Sequence, residues 1–320
     1  MRIICVTSHN GERRLSPADA ESPTPDSGDL IISVAGAGVN RADVLQSRGL
    51  YPSPKGWPEW PGLECAGIVS AVGADVAGFK VGDRVAALVG GGAYAEEVAV
   101  PADLVLPVPP GLTLVEAAGV MEAACTVWSN LAAAHAVPGE TLLVHGGSGG
   151  IGTFAIQLAK ARGLRVITTA RGPERVRRCL ELGADVAVDY ESEDFVDAAQ
   201  ALGGADVILD VIGAAYLERN LAALATGGRL VVIGLQRGAH AEVDLGTLLA
   251  KRASIIGTTL RSRPHAERSA IVAAVGREVW PLIPEKVRPV IHSTIALDEA
   301  QSAHDLLESG EAFGKLILVP

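Results

Sequence analysis

Eight residues constrain this chain more than any others: His145-Gly146-Gly147-Ser148-Gly149-Gly150-Ile151-Gly152. They follow a short apolar run, Leu142-Leu143-Val144, and open a helical stretch over 151–162. Gly147, Gly149 and Gly152 have G-x-G-x-x-G spacing. Such glycines permit a tight turn and let backbone N–H groups approach a pyrophosphate at a helix N-terminus, where the helix dipole favours an anion. The spacing alone is a weak signal, so its context decides. Short apolar runs near 142–145, 165–169, 186–188, 207–210, 230–233 and 255–259 alternate with helical stretches at 151–162, 174–182, 194–201, 216–225 and 245–251. Continuous apolar runs suit parallel strands buried on both faces. Six strands with five crossovers predict an α/β fold with a doubly wound parallel sheet of Rossmann type, carrying a dinucleotide site.

The same octet also satisfies G-x-S-x-G through Gly146, Ser148 and Gly150, which would make Ser148 a hydrolase nucleophile. Asp210 and either His292 or His304 stand in the right order for a triad. A hydrolase elbow, however, normally follows several strands of its sheet, whereas this octet opens its own. The dinucleotide reading is therefore preferred. NAD sites carry an acid at the end of the second strand, to hold the ribose 2′-OH. Here that strand ends Thr168-Thr169-Ala170-Arg171, and Arg171, Arg175, Arg177 and Arg178 follow with Glu174 as the only acid among them. Guanidinium groups bind phosphate bidentately, so the cluster predicts a 2′-phosphate and hence NADPH. Arg177 and Arg178 read as solvated.

Ahead of this region the chain reads as β. Gly and Pro punctuate runs at 30–34, 66–72, 84–88 and 94–100, which predicts a compact barrel. Residues 50–62 hold four prolines and two tryptophans and read as an ordered loop. A helix is expected over 116–136, and mixed structure returns after residue 260 with helices at 267–280 and 298–307 and strands near 290–292 and 316–319. The net charge of −10 argues against nucleic acid or an anionic membrane as partner. Mean hydropathy is +0.30, yet no apolar run approaches the ~20 residues that span a bilayer. Cys5, Cys65, Cys125 and Cys179 lack metal-site spacing, and the N-terminus turns polar too soon for a signal peptide. A cytoplasmic location is expected.

Several motifs in order now carry a resemblance. They are Gly38-Val39-Asn40-Arg41-Ala42-Asp43, Arg48-Gly49-Leu50-Tyr51-Pro52, Pro61-Gly62-Leu63-Glu64-Cys65-Ala66-Gly67, Val81-Gly82-Asp83-Arg84-Val85, the octet itself, and Leu260-Arg261-Ser262-Arg263. The chain resembles the medium-chain dehydrogenases/reductases, specifically the zinc-free quinone oxidoreductases related to zeta-crystallin, and most the tumour-suppressor-induced branch. The resemblance implies a GroES-like β-barrel catalytic domain over 1–121 and 263–320 and a Rossmann cofactor domain over 122–262. It implies NADPH-dependent quinone reduction without a metal. An enone or alkenal double-bond reductase and a non-catalytic NADPH-binding redox sensor are the alternatives. A homodimer is implied too, and the sixth strand, 254–260, is an apolar edge that pairing would cover.

Zinc-dependent relatives place Cys-Gly-x-Asp early in the barrel and Gly-His-Glu soon after. The aligned residues here replace the Cys with Asn40 and the His with Leu63, while Asp43 and Glu64 remain as hydrogen-bonding residues of the fold. Tyr51 and Lys55 have Tyr-x-x-x-Lys spacing, but Pro52 and Pro54 between them forbid a helix. A quinone needs no obvious acid, because hydride arrival gives a delocalised hydroquinone anion, so positioning and water exclusion are expected to suffice. Tyr51 is expected to stack on or hydrogen-bond the acceptor, with packing beside Trp57 and Trp60 as the plainer reading. Asn40 is expected to orient cofactor or quinone carbonyl. By resemblance, Thr126 meets the nicotinamide amide. Ser148, Gly149, Gly150, Ile151 and Gly152 hold the pyrophosphate, and Arg171 and Arg175 the 2′-phosphate. Tyr190 lies by the adenine ribose. Gly234 with Leu235, and Thr258, Thr259 and Leu260, edge the nicotinamide half. The Phe313-Gly314-Lys315 turn matches a family position near the cofactor, although Lys315 reads equally as a solvated surface charge. Cys125 reads as buried packing, and His145 as a strand-end residue held by backbone hydrogen bonds.

Overall fold

The computed structural model describes residues 1–9 and 12–320, which divide into two compact units. The first comprises Met1–Cys125, Arg261–Pro284 and Pro289–Pro320, the second Thr126–Leu260 with Glu285–Arg288.

The first unit begins with an antiparallel hairpin, β1 (Arg2–His9) and β2 (Glu12–Asp19). Then come β3 (Asp29–Gly38), α1 (Arg41–Ser47), β4 (Glu64–Val72), β5 (Arg84–Leu88), β6 (Glu97–Pro101) and β7 (Val105–Pro107). The hairpin and α1 were not anticipated: the hairpin is half polar, with Pro17 inside it, and α1 is only two turns long. β3 pairs β4 along one edge and β6 along the first half of the other. Register shifts at Ile31/Ile32 and Val34/Gly36 bend it, as bulges do. The helix expected over 116–136 is two helices, α2 (Leu114–Ala117) and α3 (Met121–Ala133). Thr113 and Glu116 form a capping box that starts α2. Gly119 interrupts the run; a Cβ there would press on Ile317 Cδ1 at 3.1 Å.

The second unit holds β8 (Thr141–His145), α4 (Gly150–Ala161), β9 (Arg165–Ala170), α5 (Pro173–Glu181), β10 (Val186–Asp189), α6 (Phe195–Gln200), β11 (Ala205–Asp210), α7 (Leu217–Ala223), β12 (Leu224–Val232), α8 (Leu245–Lys251) and β13 (Ser254–Gly257). All sheet pairings are parallel, in the order β10-β9-β8-β11-β12-β13. Counted from β8, that is 3-2-1-4-5-6, the doubly wound Rossmann order. Leu143, Ile167, Ile208 and Leu230 are fully buried at its centre, each contributing about 1.5–3 kcal/mol by burial. β13 is an edge strand and ends at Gly257, short of the expected Thr259.

The chain then returns to the first unit through α9 (His265–Glu278), β14 (Ile291–Ala296), α10 (Ala300–Ser309) and β15 (Lys315–Val319). β15 pairs β14 in parallel and the end of β3 in antiparallel, giving a seven-stranded sheet. Among the described residues no helix is long and apolar enough to cross a membrane, and the four cysteines are unpaired.

Candidate active site

In the second unit the octet turns from β8 into α4, with Gly149 as N-cap. A Cβ on Gly147 would collide with Thr168, and one on Gly152 with the backbone of Gly146 and Gly147. A Cβ on Gly149 would meet nothing closer than Gly146 O at 3.5 Å. Two glycines are thus required by the protein's own packing, while Gly149 leaves open space beside the start of a helix that no side chain caps. That is what a phosphate cradle needs.

The expected adenine-side residues come together at the ends of β9 and β10. Arg171 follows β9 and Arg175 lies in the first turn of α5. Tyr190 follows β10 beside this turn, its N–H donating to Ala170 O at 3.1 Å; burial raises its hydroxyl above its ordinary value, and the positive charges of Arg171 and Arg175 oppose that rise. Arg177 is paired with Glu174 (2.6 Å) and Glu181 in solvent, as expected of it. Asp189 was not singled out from the sequence. Its carboxylate accepts from Gly172 N (3.0 Å) and Glu191 N (3.2 Å), which shapes the turn that presents Arg171.

Gly234 and Leu235 follow β12, and Leu235 is exposed. Thr126, in α3, accepts through its carbonyl from Asn130 Nδ2 at 2.7 Å, and Asn130 Oδ1 accepts from Thr258 Oγ1. This bridge ties Thr126 to the segment of Thr258, Thr259 and Leu260. Asn130 carried no sequence signal because an asparagine inside a helix is usually incidental.

His145 is fully buried between the rings of Phe195 and Tyr216. Its Nε2 meets Asn220 Oδ1 at 2.7 Å and its Nδ1 meets Thr169 Oγ1 at 3.2 Å. Burial pushes it down to about 4, so it is a neutral packing residue rather than a base; the groups that hold it are side chains, not the backbone expected from the sequence. The hydrolase constellation does not form. Asp210 spends its carboxylate on Ile212 N and Gly213 N, His292 Nδ1 accepts from Phe313 N at 3.3 Å, and His304 bonds the Tyr94 hydroxyl at 3.1 Å inside the first unit.

In the first unit, Tyr51 sits in the proline-rich loop, half-buried. Arg261 organises that loop, a role the sequence did not reveal. Its guanidinium donates to Gly90 O (2.6 Å), Tyr51 O (3.2 Å) and Gln46 Oε1 (2.7 Å), and lies 5.2 Å from the centre of the Tyr51 ring. Among the described residues nothing bonds the Tyr51 hydroxyl. Burial raises it, Glu122 adds to the effect, and Arg261 opposes it. Trp57 instead lies over Gly90, and Trp60 donates to Gly92 O at 3.0 Å.

Asn40 and Lys315 meet in the interior of the same unit. The Lys315 ammonium donates to Asn40 Oδ1 at 2.7 Å and to Glu64 Oε1. Asn40 Nδ2 donates to Glu64 Oε1 (3.1 Å) and Gly38 O (3.2 Å), and Glu122 N donates to Glu64 Oε2 (3.0 Å). Lys315 is therefore no solvated surface charge; it is almost wholly buried. Gly314 delivers it. At φ +93° and with Val290 O against its missing Cβ, only glycine fits the turn into β15. Asp43 accepts from Gly62 N (2.8 Å) and Asn40 N (2.9 Å), and burial pushes its carboxyl up to about 6. Burial also raises the Cys125 thiol well above its ordinary value, which leaves it unreactive.

Comparison with known proteins now bears on these two sites. Residues 26–110 match the alcohol dehydrogenase GroES-like domain and residues 150–275 match the zinc-binding dehydrogenase family. A probable quinone oxidoreductase of Schizosaccharomyces pombe is 35% identical over 322 residues, covering 99% of this chain and 96% of its own. The chain belongs to the quinone oxidoreductase family of medium-chain dehydrogenases/reductases. Quinone oxidoreductase structures of this family agree closely. The Thermus thermophilus protein, described alone and in complex with NADPH, superposes with a TM-score of 0.87 at 33% identity over 100% of both chains. The Escherichia coli protein complexed with NADPH gives 0.85 at 30% identity, over 100% of this chain and 99% of the other.

The broader zinc-binding family implies a metal, and the residues here do not fit one. At the position of the aligned ligands stand an amide, the buried aliphatic Leu63 and Glu64. The carboxylate is already neutralised by an ammonium, and two oxygen donors without thiolate or imidazole make a poor zinc site.

Proposed function

We propose that this protein is a metal-independent NADPH:quinone reductase. One observation carries the reading: the open side of Gly149 at the uncapped start of α4 lies in the same Rossmann sheet as the Arg171–Arg175–Tyr190 cluster, which has no acid at the end of β9 to favour NAD. Family membership, and relatives described in complex with NADPH, support the same conclusion.

NADPH, when bound, supplies a hydride; the acceptor takes it together with one proton from solvent, giving hydroquinone and NADP⁺. The α4 amides bind the pyrophosphate, and Arg171 and Arg175 bind the 2′-phosphate. Tyr51, its loop fixed by Arg261, offers the acceptor a ring face and an unengaged hydroxyl. The hydroquinone anion delocalises its charge, so no residue has to donate a proton in the hydride step. Two copies are proposed to pair through β13, where Ile255 is 39% exposed and the neighbouring α8 exposes Leu245 and Leu249. A cytoplasmic location suits an acidic, disulfide-free chain.

The test is oxidation of NADPH against a panel of quinones and a panel of enones, with a chelator present throughout. Quinone turnover is expected to exceed enone turnover. Arg171→Ala and Arg175→Ala should each raise the NADPH KM about 10- to 100-fold, as loss of a charge-assisted bond does. NADH kinetics should stay within about twofold, since NADH lacks the phosphate these groups hold. Faster enone turnover, or inhibition by the chelator, would reject the proposal.

A further inference from the structure

The glycine loop of the second unit is held from the side by the last residues of β9. Thr169 O accepts from Gly147 N at 2.9 Å, and Thr169 Oγ1 accepts from Gly146 N at 3.2 Å. Thr168 Oγ1 donates to Val144 O at 2.9 Å and fills the space beside Gly147. Gly149, the N-cap of α4, donates its N–H to Gly146 O at 3.0 Å. The N–H groups of Gly150, Ile151 and Gly152 come next, in the first turn, where no carbonyl of the helix can accept from them. Gly146 thus carries both contacts that set where these amides point: its carbonyl takes the N-cap, and its N–H goes to Thr169.

A hydroxyl holds an amide firmly only when its own proton is placed as well. At Thr169 it is. Asn220 Oδ1 faces His145 Nε2 at 2.7 Å and can only accept, so Nε2 carries the ring proton. Burial keeps the ring neutral, which leaves Nδ1 a bare acceptor, and the Thr169 hydroxyl 3.2 Å away is its donor. The bonds run in one direction, from Gly146 N–H to the Thr169 hydroxyl, from that hydroxyl to His145 Nδ1, and from His145 Nε2–H to Asn220 Oδ1. Phe195 and Tyr216 pack edge-on against the imidazole, at 4.7 and 5.0 Å between ring centres, and keep it in line. Turning the Asn220 amide over would move the ring proton to Nδ1 and leave the Thr169 proton with no acceptor among the described residues.

We propose that Thr169 is a positioning residue of the cofactor loop, its hydroxyl wired through His145 to Asn220 on α7. It aims the α4 amides at the pyrophosphate without touching the cofactor. The proposal rests on the NADPH-binding reading above and deepens it.

Thr169→Val keeps the side-chain shape and leaves Gly146 N–H and His145 Nδ1 unpaired. Its NADPH dissociation constant, read from cofactor fluorescence without any acceptor, is expected to rise at least about fivefold, as loss of a buried hydrogen bond does. Adenosine 2′-phosphate has the phosphate assigned to Arg171 and Arg175 but no pyrophosphate, so its dissociation constant should change less than about twofold, as expected of an independent site. Thr169→Ser restores the hydroxyl and should bring NADPH binding back to within about twofold of wild type. Equal losses for the two ligands would show general damage instead of positioning and overturn the proposal. Wild-type NADPH binding by Thr169→Val, or a Thr169→Ser variant as weak as Thr169→Val, would overturn it too. In the wild type, nitrogen NMR of the His145 ring, assigned by its loss in His145→Gln, should place the proton on Nε2; a proton on Nδ1 would overturn the wiring. A wild-type protein that binds no NADPH defeats the cofactor reading and this proposal together. One that binds NADPH but turns over no quinone defeats the reductase reading alone, and the two dissociation constants still decide the role of Thr169.

Discussion

Gly149 and Gly152 stand three residues apart and answer to different constraints. Gly152 has no room for a Cβ against the backbone of Gly146 and Gly147, whereas Gly149 faces open space. Gly152→Ala should therefore destabilise the protein by about 1–3 kcal/mol, the usual cost of overpacking. Gly149→Ala should cost only about 0.5–1 kcal/mol, as a poorer N-cap, while weakening NADPH about tenfold or more. Denaturant titration alongside cofactor binding separates the two, and equal stability losses would refute the distinction. The residues that hold other residues were the hard ones to see. Asn40 and Tyr51 stood out because family motifs contain them. Lys315 also lies in a family motif, but its burial was not legible, since its partners are 275 and 251 residues away and a lysine at the start of a strand looks like any solvated charge. Arg261 lies in the quoted Leu260–Arg263 motif, but its role was hidden likewise: its acceptors are loop carbonyls and the Gln46 amide, which leave no trace in the sequence.

At the scale of elements, legibility followed burial. β8, β9 and β11 are largely buried, so they are written as apolar runs, and there the expected strands are observed within a residue or two; β12 instead begins at Leu224, ahead of the expected run at 230, because its first half, with Thr226 and Gly227 exposed, carries no such run. The β1–β2 hairpin is half polar and has no such run. The break between α2 and α3 was missed because periodicity continues across Gly119, where a Cβ would press on Ile317 from the far end of the chain. β13 shows the opposite error. Its apolar run extends past the point where pairing with β12 stops at Gly257. Among the described residues its other edge has no strand partner, and α8 beside it leaves Leu249 76% exposed. Ile255→Lys should therefore convert the proposed dimer into a monomer in sedimentation velocity while preserving NADPH affinity. A variant that sediments like the wild type would show that β13 is not the interface.

Across the whole molecule, buried ionisable groups set a pH response that no surface count would suggest. His145 and His304 are both pushed down to about 4 by burial, against about 6.5 in an unfolded chain. Their stabilisation is complete above about pH 6.5 and is lost as pH falls toward 4. Asp43 and Asp210 are both raised to about 6 by burial, so they act oppositely, and stability is regained as pH falls through 6. The two pairs oppose each other over the same window and mask one another in the wild type. His145→Gln should unmask one of them. Its stability relative to wild type should rise by roughly 2–3 kcal/mol between pH 7 and pH 4.5 in denaturant titrations, from about 1.36 kcal/mol per pKa unit. A difference independent of pH would show that His145 is not held neutral.

The lysine that neutralises Glu64 has a consequence in time. Glu64 enters the interior on β4, and its cation is 251 residues further along the chain. At about 5–20 residues per second, a ribosome takes roughly 13–50 s to cover that interval. Throughout that period the nascent barrel holds an acid whose counter-charge has not been translated, while the intervening Rossmann segment, 126–260, emerges whole. The half of the molecule synthesised first is thus the last to be able to close.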